Sequence, residues 1–316
     1  MTTTNTIRIS STVDRLVLSG GGVLGLMFCG AAQGIDKFYS FQNISDFAGT
    51  SAGSIFAAAF AAGYTPDEVT KIVEETDFMT LVDGFGYFSQ SNWWLLRQVG
   101  NLMGYMGSFY RLAKMPWTLG LFEGNAFENW IDRILSKKTG IEHPTFHDLP
   151  KKLSVVATDL ETTTGMIFST DTTPNMTVSS AVRASMSVPG VFCPIDRCIV
   201  DGGVVENYPL YIFGDTDHDM DRVVGLKLIS NSSSSSNKNN SLRAQWGPLG
   251  YAYAVVDTFM AAIDRMYVAD RYWQRTVPLM VPSGTSFLDF SLTKEQKKTL
   301  IDEGYRQTTS KIVVTK

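Results

Sequence analysis

Apolar and polar positions along the chain follow two periods. Leu16–Leu18 is a short apolar run that feeds "SGGG" and reads as a buried strand. Val23 to Phe38 is apolar enough for a buried helix. "ISDFAG" predicts a second strand ending at Gly49, and "SAGSIFAAAFAAGY" a small-residue helix that stops at Gly63. Strand, glycine turn, helix, strand, turn, helix is the pattern of a parallel sheet covered by helices. "TPDEVTKIVEET" opens a further helix, with Thr65 as cap, Pro66 in the first position and Glu68 completing a capping box. "EGNAFENWIDRILSKKTG" is an amphipathic helix with a glycine stop, and "KKLSVVATDLETTTGMIFST" reads as two strands around a turn. "CIVDGGVVENYP" predicts a strand, a tight turn and an exit at Pro209; "VVGLKLI" is another buried strand. "LGYAYAVVDTFMAAIDRMYVADRYW" predicts a long amphipathic helix, and "LTKEQKKTLIDEGYRQTTSKI" a C-terminal one capped by Thr293 and Gln296.

Three stretches break this patterning. Residues 1–13 form a polar lead-in, and 231–241, "NSSSSSNKNNS", is a low-complexity polar loop. Residues 78–122 are crowded with Phe, Tyr, Trp, Met and Gly, and no single period runs through them. Their adjacent Trp93 and Trp94 and their many glycines predict an aromatic cap over a site, with tryptophan suited to a lipid interface. A packed core is the plainer use of the same aromatics. Residues 14–316 otherwise read as one domain, without internal repeat or linker.

The glycines fit G-x-G-x-x-G through Gly20, Gly22 and Gly25. A dinucleotide site would want an acidic residue at the carboxyl end of the second strand. Asp46 has the spacing but stands at the amino end. The carboxyl end carries "GTSAG", Gly49 to Gly53, a G-x-S-x-G that suits a nucleophile on a sharp strand-to-helix turn. Two glycine turns then lie at the same end of neighbouring strands. Ser51 offers a hydroxyl on one. On the other, backbone N–H groups at Gly20, Gly21 and Gly22 suit the oxyanion of a tetrahedral intermediate.

A serine nucleophile needs a base within reach. The chain has three histidines. His143 and His147, in "EHPTFH", are separated by a proline that breaks any shared helical face, which argues against a joint metal site. His218, in "GDTDHDMD", follows Asp201 and would give the order Ser…Asp…His of α/β hydrolases. The alternative is "VDGG": Asp201 ends an apolar strand, and Gly202 and Gly203 follow. An aspartate there can act on the serine directly if burial lifts its pKa.

The formal net charge is −4, with Lys and Arg spread along the chain, so nothing marks a nucleic-acid surface. Three scattered cysteines exclude a disulfide framework. No signal peptide is evident, and no apolar run approaches the roughly 20 residues of a membrane span. These features predict a soluble cytoplasmic protein that meets membranes peripherally through apolar contacts.

Taken together, "GGGVLG", "AVRASMSVPGVF", "GTSAG" and "VDGGVVENYP" resemble the motifs of the patatin-like phospholipases, from about Leu16 to about Tyr305. "LFEGNAFENWI" and "SVVATDLETTTG" are also similar to that family. The resemblance implies an α/β fold: a mainly parallel central sheet with helices on both faces, a three-layer sandwich related to α/β hydrolases. It implies hydrolysis of acyl esters in phospholipids or other glycerolipids by a Ser51–Asp201 dyad, with oxyanion donors at Gly21 and Gly22 and no metal or cofactor. Gly25, Gly49, Gly53, Gly202 and Gly203 support these motifs. Two positions depart from the family: Leu24 stands where Arg or Lys is usual, and Glu206 where Asn is frequent. Leu24 removes a phosphate contact, for which Arg183 in "AVRAS" is the candidate replacement. Three rivals stay open: a Ser-His-Asp esterase using His218, a catalytically silent lipid-binding effector, and a nicotinamide-cofactor protein. An activating protein partner is left undetermined.

Overall fold

The computed structural model describes residues 7–9, 13–82, 117–214, 216–230, 258, 270–283, 285 and 287–314. The strands are β1 (Ile7–Ile9), β2 (Arg15–Leu18), β3 (Asp46–Thr50), β4 (Gly120–Phe122), β5 (Lys152–Asp159), β6 (Thr164–Ser169), β7 (Gly190–Phe192), β8 (Ile199–Asp201), β9 (Val223–Ser230), β10 (Thr276–Val281) and β11 (Ile312–Val314). The helices are α1 (Leu26–Asp36), α2 (Ala52–Ala61), α3 (Pro66–Glu75), α4 (Asn125–Thr139), α5 (Val178–Ser185), α6 (Asp217–Asp221), α7 (Asp270–Trp273) and α8 (Lys294–Lys311). The central sheet runs β10-β9-β2-β3-β5-β6, parallel from β10 to β5, with β6 and β8 both antiparallel to β5. Two small parallel pairs, β1 with β11 and β4 with β7, flank it.

Strand alternation divides the interior. Leu16, Leu18, Phe47, Val155, Leu226 and Leu279 face a large core shared with α1, α2 and α8. Val17, Ala48 and Val223 point the other way, toward Tyr208, Leu210, Phe213 and Met220. Both faces of the sheet are therefore covered, and the strands are apolar on both sides. The capping boxes predicted at Thr65–Glu68 and Thr293–Gln296 are both formed.

Two features place the site. The chain moves from β2 outward through β3 to β5, then returns to add β9 on the opposite side of β2. The strand order reverses at β2, and ligands in open α/β sheets bind outside the carboxyl ends at such a point. The second feature is the register of β5. One of its edges pairs with β6 from Ser154 to Asp159, which leaves β3 and β8 to share the other. β3 pairs up to Val156 with Thr50, and β8 starts at the next residue, pairing Asp201 with Ala157. Ser51 and Asp201 must then meet end to end along one edge of β5.

The first predicted helix differs in its start. Gly22–Gly25 is a 3-10 turn, and the α-helix begins only at Leu26. Gly22 has φ 55°, and the Val23 N–H donates to the Phe287 carbonyl at 2.9 Å instead of staying in a helix. "GDTDHDMD" contains the short helix α6, capped by Thr216. Residues 83–116 of the predicted cap, including Trp93 and Trp94, lie outside the described residues, as do the loop 231–241 and most of the helix predicted over 249–273. Among the described residues no helix is long and apolar enough to cross a membrane.

Candidate active site

Ser51 sits between β3 and α2 with φ 51° and ψ −124°, a conformation that a residue carrying a Cβ adopts only when its surroundings impose it. The surroundings do so through close packing. A Cβ on Gly53 would lie 2.3 Å from the Leu18 carbonyl oxygen, and one on Gly49 would lie 2.4 Å from the Gly53 backbone. The Ser51 N–H donates to Ser185 Oγ at 2.8 Å, and Ser185 Oγ donates to the Val156 carbonyl at 2.5 Å. Ser54 Oγ donates to the Ser51 carbonyl at 2.6 Å. Ser185 is fully buried. Nothing in its sequence position distinguishes it from Ser187, the other serine of "RASMS".

Ser51 Oγ donates to Asp201 Oδ2 at 2.6 Å. The other carboxylate oxygen, Oδ1, accepts the Gly203 N–H at 2.7 Å, and the Asp201 N–H donates to the Ser187 carbonyl at 2.9 Å. Asp201 has no exposed surface. Burial pushes its carboxyl up to about 6, against the hydrogen bonds from Ser51 and Gly203, which pull it down. Gly202 packs on the Val156 carbonyl, and Gly25 against Ala52 and Phe56.

The glycine turn after β2 lies beside Ser51: a Cβ on Gly20 would stand 3.2 Å from Ser51 Cβ. Gly20 itself leaves the predicted set of oxyanion donors, because its N–H donates to the Asn207 carbonyl at 3.0 Å. The N–H groups of Gly21 and Gly22 have no partner among the described residues. Arg183 is not the expected phosphate contact either. It is 1% exposed and cannot reach a lipid head group. Its guanidinium donates to the Glu123 carbonyl, to the Cys193 carbonyl at 2.9 Å and to Ser187 Oγ at 2.5 Å, and it stacks on Phe192. Ser187 is the residue that holds the Asp201 backbone, so Arg183 braces the site from behind. Leu24 is buried in the main core. Glu206 is half-buried. Its carbonyl accepts from Thr50 Oγ1, its carboxylate accepts from the Tyr208 N–H, and burial raises its pKa while Lys227 lowers it.

The histidines lie elsewhere. His143 Nδ1 is 2.9 Å from Asp132 on the surface of α4, and His147 is exposed. His218 is exposed in a groove with Asp14, Asn43 and Arg222, residues that precede β2, β3 and β9. It therefore stands at the amino ends of the strands, opposite Ser51. His218→Asn is expected to leave ester turnover within about twofold of wild type, since surface changes away from a site have small effects. A loss beyond that in steady-state assays would restore the esterase reading with histidine as base.

A cavity opens at Ser51 and runs between apolar walls. Ala52, Ile55 and Phe56 of α2 form one side, and Val73, Phe78 and Leu81 another. Phe127 and Trp130 of α4, Met186 and Val188 after α5, Phe192, and Leu288 and Phe290 complete it. Sequence reasoning missed this cavity because its lining comes from seven separate segments.

Residues 16–213 match the family model described as "Patatin-like phospholipase". The chain belongs to the patatin-like phospholipase family. It is 30% identical over 311 residues to "Uncharacterized protein R571" of Acanthamoeba polyphaga mimivirus, covering 96% of this chain and 95% of that one. It is 30% identical over 200 residues to "Probable lipid hydrolase 463L" of Invertebrate iridescent virus 6, covering 62% of each. The structure of VipD from Legionella pneumophila superposes with a TM-score of 0.55 at 20% identity, over 94% of this chain and 66% of that one. Its likeness is one of fold, the mixed and mostly parallel sheet with helices.

Proposed function

We propose that the protein is a serine acyl hydrolase that cleaves fatty-acyl esters of phospholipids or other glycerolipids. The observation that carries this reading is the buried 2.6 Å contact between Ser51 Oγ and Asp201 at the mouth of an apolar cavity. Asp201 takes the Ser51 proton as the hydroxyl oxygen attacks the ester carbonyl. A carboxylate near pKa 6 is a far better base than an ordinary one near 4, and still ionised at neutral pH. The oxyanion forms against the Gly21 and Gly22 N–H groups. Asp201 returns the proton to the leaving alcohol, and the acyl group stays on Ser51. Water, deprotonated by the same carboxylate, then releases the fatty acid. None of these steps calls for a metal or a cofactor.

The cavity supplies the acyl subsite. Its walls offer methylene groups a dry apolar surface, worth roughly 0.8 kcal/mol per methylene buried. Ile55 lies about one helical turn beyond Ser51 on the wall lined by α2. Ile55→Trp would fill the cavity near its mouth. It is expected to lower the ratio of kcat/KM for long-chain over short-chain p-nitrophenyl esters by about tenfold or more. An unchanged ratio would remove the cavity from the reaction.

The reading as a whole is tested on the intact protein. Mass spectrometry of products from a mixed phospholipid and glycerolipid panel should show free fatty acid and a deacylated lipid, both absent with Ser51→Ala. An alkyl fluorophosphonate should label Ser51. A protein that neither hydrolyses nor labels would be a lipid-binding scaffold instead.

A further inference from the structure

Helix α8 lies beyond residues 16–213, the part that matches the family. It nevertheless reaches the walls of the cavity. Lys297, in its first turn, is 4% exposed. Its ammonium group donates to the Val73 carbonyl at 3.1 Å and to the Thr76 carbonyl, and it lies 4.2 Å from the centre of the Phe78 ring. Val73 and Thr76 stand at the C-terminal end of α3, where a helix leaves its last carbonyls without intrahelical donors and its dipole is negative. A cation from the other end of the chain thus caps α3 and grips the aromatic ring that follows it. Val73 and Phe78 both line the cavity, and Leu81 belongs to the same short turn as Phe78.

A buried ammonium group is an expensive way to fill space, so its three partners require explanation. Burial lowers its pKa, and the nearby charges of Asp77, Lys294 and Glu74 act on it as well. The anchor behind it is rigid. A Cβ on Gly30 of α1 would lie 1.8 Å from the Ile301 carbonyl oxygen, and one on Gly304 would lie 2.1 Å from that of Met27. The backbones of α1 and α8 are in direct contact, and Lys297 joins that packed pair to α3.

We infer that Lys297 is a positioning residue that fixes the α3 wall of the acyl cavity and thereby sets the preference for long acyl chains. The inference rests on the cavity being the acyl subsite. Methylene groups gain from a wall only if the wall holds still against them. With α3 uncapped and Phe78 released, the contacts made by the distal part of a chain are lost before those near the ester.

The test uses the full-length protein and a series of p-nitrophenyl esters from butyrate to palmitate. Lys297→Met keeps the apolar stem and removes the donors and the charge. It is expected to lower the long-to-short ratio of kcat/KM by about tenfold, the scale on which a pocket discriminates a methylene or two. Lys297→Arg, which can still donate to both carbonyls, should recover most of that ratio. An unchanged ratio in the Met variant, or equal losses on all chain lengths, would overturn the inference and leave Lys297 as a structural cap. Should Lys297→Met fail to fold, Lys297→Gln carries the test, since its amide can still donate to a carbonyl of α3 but the charge and its contact with the Phe78 ring are gone. The same ratio should then fall at least about threefold, and an unchanged one overturns the inference. Ile55→Trp separates the two levels. If it shifts the ratio and Lys297→Met does not, the acyl subsite stands and the role of Lys297 falls. If neither shifts it, the acyl reading of the cavity falls first.

Discussion

Ser51→Ala and Asp201→Asn are each expected to lower kcat/KM on phospholipid and on soluble ester by on the order of 10⁴-fold, and the double variant should be little worse. Ser51 Oγ donates to Asp201 Oδ2 across 2.6 Å. In the proposed dyad, removing either leaves the other without a function, so the losses should not add. Among the described residues no third side chain stands ready to take the place of Asp201: its second oxygen is held by the Gly203 N–H, and His218 lies at the opposite ends of the strands. The variants should differ in one respect. Ser51→Ala abolishes labelling by an alkyl fluorophosphonate, while Asp201→Asn slows it, because the hydroxyl remains but its base is gone. Retention of more than about a tenth of wild-type turnover by Asp201→Asn would show that the proton goes elsewhere.

Much of this arrangement is legible in the sequence because short local patterns determine it. Apolar runs broken by glycine end β2 at Leu18 and β3 one residue early, at Gly49 against the observed Thr50, and G-x-S-x-G places Ser51 on the turn between β3 and α2. Asp201 follows from an apolar run stopped by two glycines. What the patterns could not supply is contact between distant segments. Arg183 looked available because two of its partners are carbonyls of residues 60 and 10 positions away, and carbonyls leave no mark in a sequence. The 3-10 turn at Gly22–Gly25 depends on the carbonyl of Phe287, across most of the chain. Gly20 fits the glycine motif as well as its neighbours do, yet Asn207 occupies its N–H. The strand "TVPLMV" hides behind Pro278, which is tolerated there because β10 is an edge strand. The cavity is the extreme case, since each lining residue reads locally as ordinary core.

The raised pKa of Asp201 makes activity and stability respond to pH in opposite directions. On the proposed mechanism the base must be ionised, so kcat/KM should be level above pH 7, bend near pH 6 and fall about tenfold for each further unit of acid. Stability has the other sign. A carboxyl that titrates near 6 when folded and near 4 when unfolded binds its proton more tightly in the folded state. Its stabilising contribution is complete below the unfolded value and is lost as the pH rises through the folded one. At about 1.4 kcal/mol per unit, ionising Asp201 in its buried site costs the native state roughly 3 kcal/mol at pH 8. Asp201→Asn escapes that cost. Its amide oxygen can accept from Gly203, and its amide nitrogen can donate to Ser51 Oγ. The inactive variant should therefore be more stable than wild type to urea at pH 8, by up to about 3 kcal/mol, and the advantage should vanish near pH 4, where the wild-type carboxyl is protonated in the folded state. Equal stability of the two proteins at pH 8, together with a rate that ignores pH between 5 and 7, would mean that Asp201 titrates as an ordinary carboxylate and that burial has not tuned it as a base.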